Sequence, residues 1–153
     1  MHLLMWLAQV DPPAARSLCT ALRNTIDQDR IWVYYRKAPL VPVMRQTDLR
    51  AVGCDLQLPP TRVQTAIPEQ QIWLNAARML VALERGGDQV PAPAQVRQLL
   101  QALSADGFSA VRQNPPMLYH NDLSASVSRL YWSEDVGYAL WLRLYLANAG
   151  RQP

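Results

Sequence analysis

Catalysis by a small protein needs a nucleophile, a proton carrier or a cage of metal ligands, and these 153 residues hold few of them. The histidines are His2 and His120, and the cysteines are Cys19 and Cys54. At His120-Asn121-Asp122 an imidazole, an amide and a carboxylate adjoin, the grouping that a general base and its orienting partner use. Asn121 and Asp122 also follow the Pro115-Pro116 pair at a helix start, where either residue caps free backbone N–H groups and no reaction is implied. A metal centre takes three or four ligands. His2 is the one other imidazole, so neither metal nor cofactor is expected. A cysteine nucleophile requires a histidine and an orienting group. Cys54, after Gly53 in a predicted loop, is better placed than Cys19, whose helical setting suits a small core residue. A Cys54–His120–Asp122 arrangement then depends wholly on the fold. Phosphate cradles are missing, since the chain has neither Gly-x-Gly-x-x-Gly nor Gly-Lys-Ser/Thr. No catalytic residue is expected.

Aromatic and basic residues offer a different chemistry, that of contact. Tyr131, Trp132, Tyr138, Trp141 and Tyr145 cluster near the C-terminus. Such side chains are enriched where one end is apolar and the other wet, interface anchors included, and core packing explains them as well. Trp32-Val33-Tyr34-Tyr35-Arg36-Lys37 interleaves aromatics with charge. On an open strand, Trp32 and Tyr34 would share a face for stacking bases, with Arg36 and Lys37 near phosphate. Alternation equally allows both rings to face the core. A helix-turn-helix over Gln98–Gln113 fails on length, because a recognition helix begun at Ser109 meets Pro115 after about five residues. A winged arrangement remains, with helices over 68–85 and 93–105, a small β wing near 108–118, and Arg97 and Arg112 as the basic contacts.

The elements that must position these residues are punctuated by twelve prolines. Residues 1–8 are apolar and read as a buried element. Asp11 as N-cap and Pro12 at the first position start a helix carrying Ala14, Leu18, Leu22 and Ile26. Ile31–Tyr35 reads as a strand, and Leu40–Met44 as a second, confined to an edge by Pro42. Residues 1–58 are thus expected to form a β-α-β-β-like portion, and 59–153 a helical portion. The strongest helix follows Pro68, with Ile72, Ala76, Met79, Leu80 and Leu83 in one stripe ended by Gly86-Gly87. Val96, Leu99, Leu100 and Leu103 mark the next, ended by Asp106-Gly107. Phe108–Arg112 reads as a brief strand, and a capped helix carries Leu123, Val127 and Leu130. From Val136 to Ala147 only Gly137 and Arg143 interrupt apolar or aromatic residues. A segment so apolar on every side must lie in the core or form half of an interface.

Bulk composition narrows the class. Half the residues are hydrophobic and 18% are charged, which excludes global disorder. No apolar run reaches the ~18 residues that span a bilayer. The net charge of +3 comes from dispersed arginines and one lysine, a mild surplus for a dedicated nucleic-acid binder. The arginine and alanine bias hints at a bacterial source. The N-terminus lacks the basic region of a secretory signal, and two thiols read as free suit the cytoplasm. The expectation is a single α+β domain, mostly helical, with a small N-terminal β-sheet and a helical C-terminal half. Its function is read as that of a non-enzymatic accessory or adaptor protein, binding another protein or a second copy of itself through Tyr131, Trp132, Tyr138, Trp141 and Tyr145. The alternative is a nucleic-acid-binding regulatory module using Trp32, Tyr34, Arg36, Lys37, Arg97 and Arg112. A small histidine- or cysteine-dependent hydrolase is the third reading.

Overall fold

The computed structural model describes residues 1–35, 38–59, 63, 67–87, 89–120 and 129–151, with the backbone alone at 33, 34, 119, 120 and 129. Asp11 joins the first two helices, α1 (His2–Val10) and α2 (Pro12–Asp27). Its backbone N–H donates to Leu7 O at 2.7 Å and closes α1. Its side chain accepts from the Ala14 N–H at 3.1 Å and opens α2, so one residue caps two helices. A short α3 (Trp32–Tyr35) and a longer α4 (Leu40–Ala51) complete the first half.

The expected N-terminal sheet is therefore replaced by helices. At Ile31–Tyr35 the β-branched and aromatic composition is overridden by burial of Ile31 and Trp32, since β-propensity is mainly a packing preference. Pro42 lies in the first turn of α4, where a helix has no intrahelical use for the missing N–H.

In the second half a 3-10 turn (Pro68–Gln70) leads into α5 (Gln71–Arg85), followed by α6 (Pro93–Gln113). The only sheet among the described residues is here, an antiparallel pair of β1 (Met117–His120) and β2 (Arg129–Trp132). Its register sets Met117 opposite Trp132 and His120 opposite Arg129. The last helix, α7 (Glu134–Ala149), packs on α5 and α6. The broad α+β class holds, with the strands C-terminal rather than N-terminal.

Two expectations within this half change. The Phe108–Arg112 segment is helical rather than extended. The chain turns left-handed at Asp106, Gly107 and Phe108 (φ +49°, +64° and +66°) before α6 resumes. Arg112 steadies that turn by donating to Asp106 O at 3.2 Å and to Gly107 O. Leu130, expected in a helix, lies in β2. Asn121, Asp122, Leu123 and Val127 fall outside the described residues.

One core cluster runs through both halves, from Leu4 and Ile26 through Leu49 and Leu56 to Trp73, Leu103 and Leu144. A hydrogen-bonded hub reinforces it. Buried Gln70 donates from Nε2 to Asn114 Oδ1 (2.9 Å) and Pro115 O (3.0 Å), while its Oε1 accepts from the Met117 N–H at 2.7 Å. Trp73 Nε1–H donates to Asn114 O at 2.7 Å. These contacts seat the Pro115-Pro116 turn and, through it, the strands that deliver the chain to α7.

Candidate docking surface

The geometry of α7 follows from its sequence. Ser133 accepts from the Val136 N–H at 3.4 Å as N-cap, and Glu134 and Asp135 fill the first turn, where the helix dipole favours negative charge. Gly137, Leu140, Leu144 and Asn148 form the buried stripe. Arg143 flanks it and ties three helices together. It donates to Glu84 Oε1 and Thr47 Oγ1, both at 3.0 Å, and pairs with Asp48 Oδ1 at 3.4 Å.

The opposite side of the helix is unusual. Between Tyr138 and Ala149 the solvent-facing residues are Tyr138, Ala139, Leu142, Tyr145, Leu146 and Ala149, with no charge among them. Tyr138, Leu142, Tyr145 and Leu146 are 36%, 49%, 49% and 60% exposed. Tyr131 and Trp132, at 46% and 56%, precede the helix on β2. Trp141 differs from the other rings. It is half-buried, its Nε1–H donates to Leu100 O at 3.1 Å, and Phe108 meets it edge-on at 5.1 Å. Tyr145 stacks on Trp141 at 5.5 Å, and Phe108 also meets Tyr138 at 5.3 Å. The left-handed turn at Phe108 thus props the aromatic row from beneath.

The other singled-out residues are scattered. Trp32 is buried, so its ring is not presented on an outer face. The side chain of Tyr34, and all of Arg36 and Lys37, lie outside the described residues. Arg97 is exposed on α6, and Arg112 serves the turn at Gly107. The winged arrangement has its two helices, but its strands begin at Met117.

Cys19 and Cys54 are joined in a disulfide, with sulfurs 2.02 Å apart. This corrects the expectation of free thiols and removes the cysteine nucleophile, because a disulfide sulfur carries no thiolate. A groove of about 450 Å³ lies beside that bond, lined by Leu4, Arg16 and Arg23 among others, with no histidine or carboxylate among the described residues that line it. The His120 side chain and Asp122 are outside the described residues. Among the described residues no cluster of three or more His, Cys, Asp or Glu is placed to hold a metal ion. None of their helices is long and apolar enough to cross a membrane. The Met1 α-amino group is held below its ordinary value of 8.0 by burial first and by Arg45 second.

The chain matches no protein-family model, no curated protein and no solved structure. Its function is accordingly read from its own geometry.

Leu146 and a second apolar face, Leu3, Trp6 and Val10 on α1, stand out only in the structure. The spacing 3, 6, 10 is that of one helix side, so the signal was present. It was hidden because an all-apolar segment shows no contrast between its faces.

Proposed function

We propose that the protein is a non-enzymatic accessory or adaptor protein that docks a protein chain, another protein or a second copy of itself, on the exposed face of α7. The observation that carries it is the charge-free arc from Tyr138 to Ala149 on a helix already packed along its other side. A contiguous apolar patch rimmed by polar residues marks a contact site once it exceeds a few hundred Å². Tyrosine and leucine on a capped, rigid helix lose little entropy when they are covered. Arg151 and the acidic first turn at its two ends supply a charged rim that orients a partner without adding much affinity.

The cytoplasmic expectation rested partly on free thiols. The Cys19–Cys54 bond instead favours an oxidising compartment, where such a bond persists.

A photo-crosslinking residue in place of Leu142, in cells that make the protein, tests the docking function. The control carries the same residue in place of Arg16 on the polar side of α2. Protein adducts at position 142 that are absent at position 16, and that vanish when Tyr138 and Tyr145 are changed to Ser, are the expected result. Equal labelling at the two positions, or none at 142, overturns it.

A further inference from the structure

We infer that the occupant of the α7 face is a second copy of this chain, its α7 packed antiparallel about a twofold axis at Leu142. The inference rests on the docking function proposed above and adds the partner. An axis at residue 142 brings 138 opposite 146 and 139 opposite 145. Tyr138 then meets the partner's Leu146, and Tyr145 falls over the partner's Ala139, so a large side chain faces a small one. Leu142 meets its own copy at the centre. All of these residues are solvent-facing in the single chain, and such a contact is self-complementary and closes at two copies.

Charge selects the direction. Glu134 and Asp135 sit in the first turn of α7, and Arg151 lies just beyond its last turn. The Arg151 guanidinium is held at that end by donating to Pro91 O at 3.0 Å. A parallel pair would set the acidic turn against its own copy. The antiparallel pair sets it beside the partner's Arg151 and also opposes the two helix dipoles. Tyr138, Leu142, Tyr145 and Leu146 keep between 36% and 60% of their surface exposed in each copy. Tyr131 and Trp132, 46% and 56% exposed, stand next to the helix start and extend the face toward the ~1,000 Å² that a specific interface requires.

Light scattering on the purified chain across the micromolar range is the test. The expected mass rises from 17.3 kDa to twice that value. Leu142→Glu should weaken association at least tenfold with an unchanged circular dichroism spectrum. Arg151→Glu and Glu134→Arg should each weaken it alone. Mixed in equal amounts, those two variants should recover the wild-type level, because each end of the mixed pair again joins opposite charges. A wild-type chain that stays at single mass, or a dimer indifferent to Leu142→Glu, overturns the self-pairing. A monomer that still gives adducts with a different protein at position 142 sinks the self-pairing alone. A monomer with no adduct sinks the docking function with it.

Discussion

At Gly137 α7 approaches the core closely. A Cβ there would stand 2.9 Å from Val111 Cγ1 and 3.2 Å from both Pro116 Cδ and Trp73 Cη2. Val111 and Trp73 are fully buried and have little room to move. Glycine to alanine inside a helix ordinarily gains up to about 1 kcal/mol, whereas overpacking costs about 1–3 kcal/mol. Gly137→Ala should therefore destabilise the protein by about 1–2 kcal/mol, seen as a lower urea midpoint at unchanged slope. Trp141 and Leu142 are neighbours with opposite expectations. Trp141 packs on Phe108 and donates to Leu100 O, so Trp141→Ala should cost about 2–3 kcal/mol. Leu142 is about half exposed and faces solvent, and Leu142→Ala in the monomer should stay within about 0.5 kcal/mol. Equal losses in urea titrations would show that the arc from Tyr138 to Ala149 is structural rather than available for contact.

Arg143 is the side chain that fastens α7 to α4 and α5, through Asp48, Thr47 and Glu84. The pairs are partly exposed, with 41% of the Arg143 side chain open to solvent, so screening limits each to well under its Coulomb value. Arg143→Met, which keeps the stem and removes the charge, should cost about 1 kcal/mol and lose most of its effect in 1 M salt. Thermal melts at low and high salt would check it, and a salt-independent loss would assign Arg143 to packing instead. At this scale the sequence was readable where a cap and a 3.6-residue period coincide. Asp11-Pro12 opened α2, Gly86 closed α5, and the apolar run at Val136–Ala147 lay inside α7. It was unreadable where composition stood in for periodicity. Ile31–Tyr35 and Leu40–Met44 are rich in strand-forming residues, yet Trp32–Tyr35 and Leu40–Met44 are helical because burial and first-turn geometry decide. The candidate surface was half legible. The aromatic types at 131–145 were plain from the sequence, but only packing separates half-buried Trp141 from exposed Tyr138 and Tyr145. The turn at Asp106–Phe108 needed coordinates, because Phe108 is an unusual residue for positive φ.

Across the whole molecule, the two halves are held with different means. The second half rests on Trp73, Gln70 and the stripe of α7, a conventional buried core with a polar hub. In the first half α1 buries only Leu4 and leaves Leu3, Trp6 and Val10 in water. There the disulfide carries weight, since it ties α2 to the turn after α4 across 35 residues. Closing a loop of that length in the unfolded chain removes entropy equivalent to roughly 3–4 kcal/mol at 25 °C in the chain-entropy account. That is a large share of the ~5–15 kcal/mol available to a domain of ordinary stability. Replacing both cysteines by alanine should lower the melting temperature by about 10 °C or more. The unreduced protein should also show no thiol to Ellman's reagent in denaturant, and two after reduction. Hydrogen exchange localises the effect. Amides of α1 and α2 should lose protection in the double-alanine protein well before those of α5 and α7, because the latter keep their core. A uniform loss over all helices would mean that the halves unfold as one unit. An unchanged melting temperature would mean that packing of α2 against α1 and its neighbours already fixes that end of the molecule without the bond.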